Sequence, residues 1–334
     1  MTDLFRKYQE CLRNGQSREA LICRNEILND ILSTQKTENL QHVLDMAVEA
    51  ALLDFSNKGN RYSLLQKSYP SIIPANACSL LSAKRILIRK YHDEGYHRYT
   101  FDRQQYKYMS SLANQSIHII GPTLTLEEQL NMFTSLGTSD CIYILLNPLQ
   151  SQDYVDQIRR LSSRNKFKHI CYFNGSNSLK YFRSLCRSME TAEHQPLWTS
   201  HKSSHLNTYL SNSRQFCVPS FLPFSSYAGH SLNLMPLILY DISLASPNKL
   251  YISGFDFYTS PQIYRKGYYA DRSIESRKSN IYKSFTDGGH DPITNLRYFK
   301  YLVSLFPKVE MTDQLQSLCD ISEYEYLDLI NSMF

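Results

Sequence analysis

Tyr258 and Tyr264 follow closely on an apolar run in "LYISGFDFYTSPQIY", and His290 stands at the far end of the polar stretch that comes next, in "DGGHDP". Tyrosine hydroxyls are uncharged at pH 7, so Tyr258 and Tyr264 can donate to a phosphate without altering its charge. Asp256, just past Gly254, is suited to accept from ribose hydroxyls or from a base amine. The glycines before His290 allow close backbone approach and leave the imidazole accessible. A histidine so placed titrates near neutrality and can serve as a general base. Each group also has a plainer reading: a loop histidine held for structure, turn residues, and a half-wet core that accounts for the 25 tyrosines.

These residues need elements to position them, and the pattern from residue 116 onward supplies them. "SIHIIG", "CIYILLN", "KHICYFN", "QPLWTS" and "KLYISG" are apolar runs of strand length. "TLEEQLNMFTSL", "SQDYVDQIRRLSSR", "SNSLKYFRSLCRSM" and, despite Pro236, "NLMPLILYDISLA" read as helices between them. The alternation predicts an α/β, Rossmann-like fold, a mostly parallel sheet with helices on both faces. Ligands in such sheets bind beyond the carboxyl ends of the strands.

The strand ends are therefore where chemistry is expected. Gly121, Pro122 and Thr123 form a turn that can aim backbone N–H groups at an anion where a helix starts. Asn147 and Asn174 close the second and third strands and offer donors and acceptors to a base, ribose or sugar, although both are also common turn residues. Neither GxGxxG nor GxxxxGK[ST] occurs, so dinucleotide and P-loop signatures are excluded. Residues 259–289 read as a lid. Arg265, Lys266, Arg272, Arg277, Lys278 and Lys283 there outnumber Asp271, Glu275 and Asp287 by three. A basic lid suits an anionic donor, and a solvated charged loop accounts for the same residues. A helix is expected from about Pro292.

The 334 residues, 42% hydrophobic and 20% charged, have room for two domains: a helical one over 1–112 and an α/β one over 113–334. "REALICRNEILNDIL" and "ENLQHVLDMAVEAALLDF" carry the helical spacing of the first. A net charge of +5 is too small to imply nucleic acid. The basic run "KRILIRKYHDEGYHRYTFDRQQYKY" reads as a solvated helix face before it reads as a nucleic-acid surface. Eight cysteines are scattered without CxxC or zinc spacing, which points to a reducing, cytoplasmic setting. The amino terminus lacks a signal-peptide core and no run of 18 apolar residues occurs, so any membrane contact is expected to be peripheral.

The "SGFDFY" strand end, the second tyrosine in "SPQIY" and the later "GGH" together resemble the bacterial sialyltransferases of glycosyltransferase family 42. "IIGPTL" is similar to that family's nucleotide-binding glycine turn, "LLN" to its next strand and "YFNGS" to its "YNPG". The likeness spans roughly residues 116–334. It implies the sialyltransferase variant of the fold, an inverting transfer from a CMP-activated nonulosonic acid, and no metal or other cofactor; no DxD motif occurs. The resemblance casts His290 as general base and Tyr258 and Tyr264 as donors to the leaving phosphate. Gly121, Pro122, Thr123, Asn147, Asn174, Ser231, Gly254, Asp256 and Phe257 become donor contacts. Two departures are visible. This chain has Gly121-Pro122-Thr123 where the family carries an asparagine before its second glycine, and "SSYAGHSLN" where the family has "RxTSG", leaving Ser231 or Asn233 to make nucleotide contacts.

The implied acceptor is a cell-surface glycan or glycolipid. Kdo, pseudaminic or legionaminic acid as the sugar, or a protein acceptor such as flagellin, would fit the same fold. A binding module that kept the fold without catalysis is the reading from a different class. For residues 1–112 the expected roles are acceptor docking, homo-oligomerisation or contact with the cytoplasmic face of the inner membrane. Lys84, Arg85, Arg89, Lys90, Arg98, Arg103 and Lys107 would meet the anionic lipid in the last of these.

Overall fold

A computed structural model describes residues 2–34, 60–68, 108, 110–123, 141–146, 168–173, 198–201, 216–217, 233–259 and 291–333. Seven strands join in one sheet: β1 (Ser116–Ile120), β2 (Ile142–Leu146), β3 (Lys168–Phe173), β4 (Trp198–His201), β5 (Phe216–Cys217), β6 (Lys249–Ser253) and β7 (Val309–Met311). Their order is β5-β4-β3-β2-β1-β6-β7, and every neighbouring pair runs parallel. The α/β fold expected from the alternating pattern is present. The helices expected within 124–140, 148–167 and 175–197 lie outside the described residues, as does the basic run at 84–107.

The described helices are α1 (Thr2–Arg13), α2 (Ser17–Thr34), α3 (Arg61–Ser68), α4 (Leu234–Ala245), α5 (Pro292–Ser304), α6 (Asp313–Asp320) and α7 (Glu323–Ser332). Helix α4 tolerates Pro236 because that residue falls in the first turn, where its missing N–H has no intrahelical partner to lose. Helix α5 starts at Pro292 as expected, with Asp291 as its cap accepting from the Thr294 N–H. Helix α7 starts with a reciprocal capping box between Ser322 and Glu325.

Period-two alternation sorts the central strands into two unlike faces. One face is aliphatic: Ile117, Ile119, Ile142, Ile144, Leu146, Ile170, Leu250 and Ile252 join the main core with Ile238, Leu239 and Ile242 of α4 and Leu296, Phe299 and Leu302 of α5. The other face carries a row set by register, Tyr251 beside His118, His118 beside Tyr143, and Tyr143 beside His169. These four are buried. The apolar runs that marked the strands therefore conceal a polar stripe, and His118 Nε2 lies 2.8 Å from Ser253 Oγ.

Burial lowers the His118 pKa from 6.5 to about 3. The unfolded chain takes up this proton below pH 6.5, whereas the folded chain holds it only near pH 3. His118 accordingly favours the folded state fully above that window, and the contribution is lost as pH falls through it, by up to ~1.4 kcal/mol per pH unit. Urea unfolding between about pH 6 and 4 is expected to show a flatter pH dependence in His118→Gln than in wild type. Parallel curves would contradict the assignment.

The amino-terminal hairpin α1–α2 packs on the carboxyl-terminal part of the chain. Tyr8, Cys11, Leu12, Ala20, Cys23 and Ile27 share an apolar cluster with Ile293 of α5 and Leu327 of α7. Polar contacts reinforce the seat. Arg297 donates to Asn25 Oδ1 at 2.5 Å and to both carboxylate oxygens of Glu323, and Asn331 donates to Ser17 at 2.9 Å.

Candidate active site at the β1–β6 switch point

The chain leaves β1 toward β2 on one side, and β6 joins β1 on the other. This is the reversal of strand order at which open parallel sheets make their ligand crevice. The two segments that leave the sheet there are Gly121–Thr123 and Gly254–Thr259, and both carry residues expected to act.

The segments start in close contact. Gly121 donates its N–H to the Ser253 carbonyl at 2.8 Å, and Thr123 donates to the Gly254 carbonyl at 3.1 Å. A Cβ at position 121 would stand 2.1 Å from the Gly254 carbonyl oxygen, so only glycine lets the backbones meet. The helix start expected to present N–H groups to an anion after this turn lies outside the described residues. Two of the turn's own amides are engaged with the neighbouring strand, and Pro122 has none to offer. The Thr123 side chain is half-buried.

Past β6, three residues take left-handed backbone: Gly254 at φ 70°, Phe257 at 48° and Tyr258 at 66°. Consecutive non-glycine residues in that region are strained, by about 1–3 kcal/mol each, and persist only where surroundings hold them. Here Asp256 Oδ1 accepts from the Tyr258 N–H at 3.0 Å, and the Asp256 carbonyl accepts from the Thr259 N–H at 2.9 Å. Tyr326 of α7 donates its hydroxyl to the Phe257 carbonyl at 3.0 Å. The Phe257 ring packs on Phe299, with centroids 4.8 Å apart.

The outcome differs residue by residue. Phe257 is buried, and its side chain packs in the main core. Asp256 is buried, and one carboxylate oxygen closes the loop on Tyr258. Tyr258 is half-buried, and its hydroxyl donates to Asn233 Oδ1 at 3.4 Å. Asn233 stands just before α4, where its side chain makes no capping bond and instead accepts from Tyr258; Ser231 lies outside the described residues. Asn147, Asn174, Tyr264, His290 and the lid over residues 260–289 lie outside them too.

Sequence reasoning missed the groups behind Tyr258. Asn295 accepts the Asn233 N–H on Oδ1 at 2.7 Å and donates from Nδ2 to the Asp291 carbonyl at 2.7 Å. Asp291 and Asn295 are both buried on α5, within one turn of each other. Burial first, then Tyr258, Asp256 and Asp291 nearby, push the Tyr326 hydroxyl well above its ordinary pKa, so it remains a donor at every physiological pH. The "DP" pair at 291–292 was a readable helix start, but nothing in the sequence linked Asn295 to Asn233 or Tyr326 to Phe257.

Among the described residues no group of three or more His, Cys, Asp or Glu side chains is placed to hold a metal ion. The described cysteines, Cys11, Cys23, Cys141, Cys171 and Cys319, are thiols and not disulfides. No described helix is long and apolar enough to cross a membrane. The arrangement offers a half-buried phenol beyond the switch-point end of β6, on a loop whose backbone is fixed by its own aspartate and by α7. Comparisons of the chain with protein-family models, with curated proteins and with solved structures gave no match.

Proposed function

We propose that the chain is an inverting, metal-independent glycosyltransferase that moves sialic acid or a related nonulosonic acid from its CMP ester to a hydroxyl of a cell-surface glycan, such as lipooligosaccharide, O-antigen or capsule. The observation that carries this reading is the position of Tyr258. The "SGFDFY" stretch that resembles the family 42 sialyltransferases is the stretch that leaves β6 at the switch point, with Tyr258 half-buried on it. In this reading the fold is the sialyltransferase variant of the α/β class. The enzyme works at the cytoplasmic face of the inner membrane as a homo-oligomer.

In the reaction, the acceptor oxygen attacks the anomeric carbon as the bond from that carbon to the CMP phosphate oxygen breaks. The bonding electrons leave with CMP; Tyr258, turning its one hydroxyl proton away from Asn233 Oδ1, and Tyr264 donate to its phosphate, and His290 takes the acceptor proton. The leaving group is a phosphate monoester and bears less charge than a nucleoside diphosphate. Oriented neutral donors supply the electrostatic help there.

Incubating the full chain with CMP-sialic acid, CMP-Kdo, CMP-pseudaminic acid and CMP-legionaminic acid, and reading CMP release, tests the class and names the sugar. Tyr258→Phe is expected to lower kcat by about 10²-fold, with a smaller change in donor KM. Wild-type turnover in that variant would remove Tyr258 from the reaction. No CMP release from any donor would favour a binding module.

A further inference from the structure

We propose that Asn233 is a positioning residue for the transfer reaction: its side-chain amide holds the Tyr258 phenol in the resting site and, by turning over, supports that phenol as it donates to the leaving phosphate. The inference rests on the function proposed above and gives Asn233 a role other than contact with the nucleotide. Asn233 occupies the N-cap position of α4, in extended backbone. An asparagine there ordinarily accepts from the N–H of the second or third helical residue. The Asn233 side chain makes no such bond. The third helical residue is Pro236, which has no N–H to give. The side chain is thereby released from the helix end, and its Oδ1 accepts from the Tyr258 hydroxyl at 3.4 Å.

Both partners are anchored at their backbones. The Asn233 N–H donates to Asn295 Oδ1 at 2.7 Å. Asn295 is buried, and its amide donates in turn to the Asp291 carbonyl at 2.7 Å, which fixes the way it faces. On the other side the Tyr258 N–H is bound by Asp256 Oδ1 at 3.0 Å. A separation of 3.4 Å exceeds the about 2.5–3.0 Å usual for hydroxyl donors, so the phenol leaves this bond at little cost. Once it donates to the phosphate, its oxygen can accept, and an amide turned about its last side-chain bond offers Nδ2 where Oδ1 had been. Donation onto the phenol oxygen polarises the O–H and strengthens its bond to the phosphate. Only an amide serves in both senses, because a carboxylate accepts and never donates.

Asn233→Asp keeps the shape and the capping ability of the residue but cannot donate. Pro236→Ala restores an N–H at the third helical position, where it competes for Asn233 Oδ1. Each full-length variant is assayed for thermal unfolding and for CMP release from the best CMP-sugar. A second preparation of each, and of the parent, carries 3-fluorotyrosine at position 258, and its fluorine NMR signal is followed across pH. In Asn233→Asp the phenol is expected to ionise about one pH unit or more above the labelled parent, because a carboxylate holds its proton. The melting temperature should stay at or above wild type, while kcat falls about 10–10²-fold. In Pro236→Ala the resting fluorine signal is expected to move as the phenol loses its acceptor, and kcat to fall about 10-fold with donor KM near wild type. The proposal is overturned if neither variant moves the signal or its titration. It is also overturned if Asn233→Asp shifts the titration and keeps wild-type kcat. A fall in activity that follows a fall in melting temperature, with the titration unmoved, marks a role in the helix alone and overturns it too. If wild type releases no CMP from any donor, the functional reading fails by itself, and the fluorine titration still decides whether Asn233 governs the phenol.

Discussion

His290→Ala is expected to lower sugar transfer by on the order of 10²–10⁴-fold, the range that a positioned general base contributes. In the proposed reaction the attacking group is a sugar hydroxyl, which is a poor nucleophile until its proton is accepted during bond formation. The defect should therefore appear in kcat with acceptor present. Acceptor-free hydrolysis of the CMP-sugar should fall less, because leaving-group departure relies on the tyrosine donors. Near-full transfer by His290→Ala would mean that the base is another group, and the mechanism as drawn would be wrong.

Gly121→Ala is expected to destabilise the protein by about 3 kcal/mol, the upper end of what overpacking usually costs. The added methyl would stand 2.1 Å from the Gly254 carbonyl oxygen, 2.5 Å from its carbonyl carbon and 2.7 Å from the Phe255 ring. Two of those three atoms are backbone, so no rotamer change relieves the clash. The ends of β1 and β6 would have to part, breaking the bonds from Gly121 to Ser253 and from Thr123 to Gly254. The left-handed loop carrying Tyr258 begins there, so catalysis should suffer along with stability. Chemical denaturation measures the first effect and CMP release the second. A midpoint equal to wild type would show that the strands separate easily at this point.

The strands were legible because each is a run of β-branched and aliphatic residues bounded by turn formers. Ser116–Ile120, Ile142–Leu146, Lys168–Phe173 and Lys249–Ser253 fall within the predicted runs, and Leu234–Ala245 is the helix that its spacing predicts. The two weakest strands escaped notice. Phe216–Cys217 and Val309–Met311 are too short to show a period, and their pairing with β4 and β6 makes them strands. The opposite faces of β1 and β2 were also hidden. A run such as "SIHII" reads as uniformly apolar until register places His118 beside Tyr143 and Tyr251.

By itself the sequence determined the alternating α/β pattern with its mostly parallel sheet, the strand end at "SGFDFY" and the start of α5 at Pro292, because these depend on local propensity and on apolar periodicity over neighbouring residues; the strand order that puts this strand end at the switch point came from the tertiary structure. Only the tertiary structure decided that the Gly121 and Thr123 amides serve the sheet and that Phe257 belongs to the core. It alone joined Arg24 to Asp291, and Asn295 to Asn233. Those outcomes depend on which buried polar groups meet across long separations in the chain. A carboxylate carries no local mark of the arginine that will neutralise it, and the pairing exists only once apolar burial has brought the hairpin, α5 and the β6 loop together.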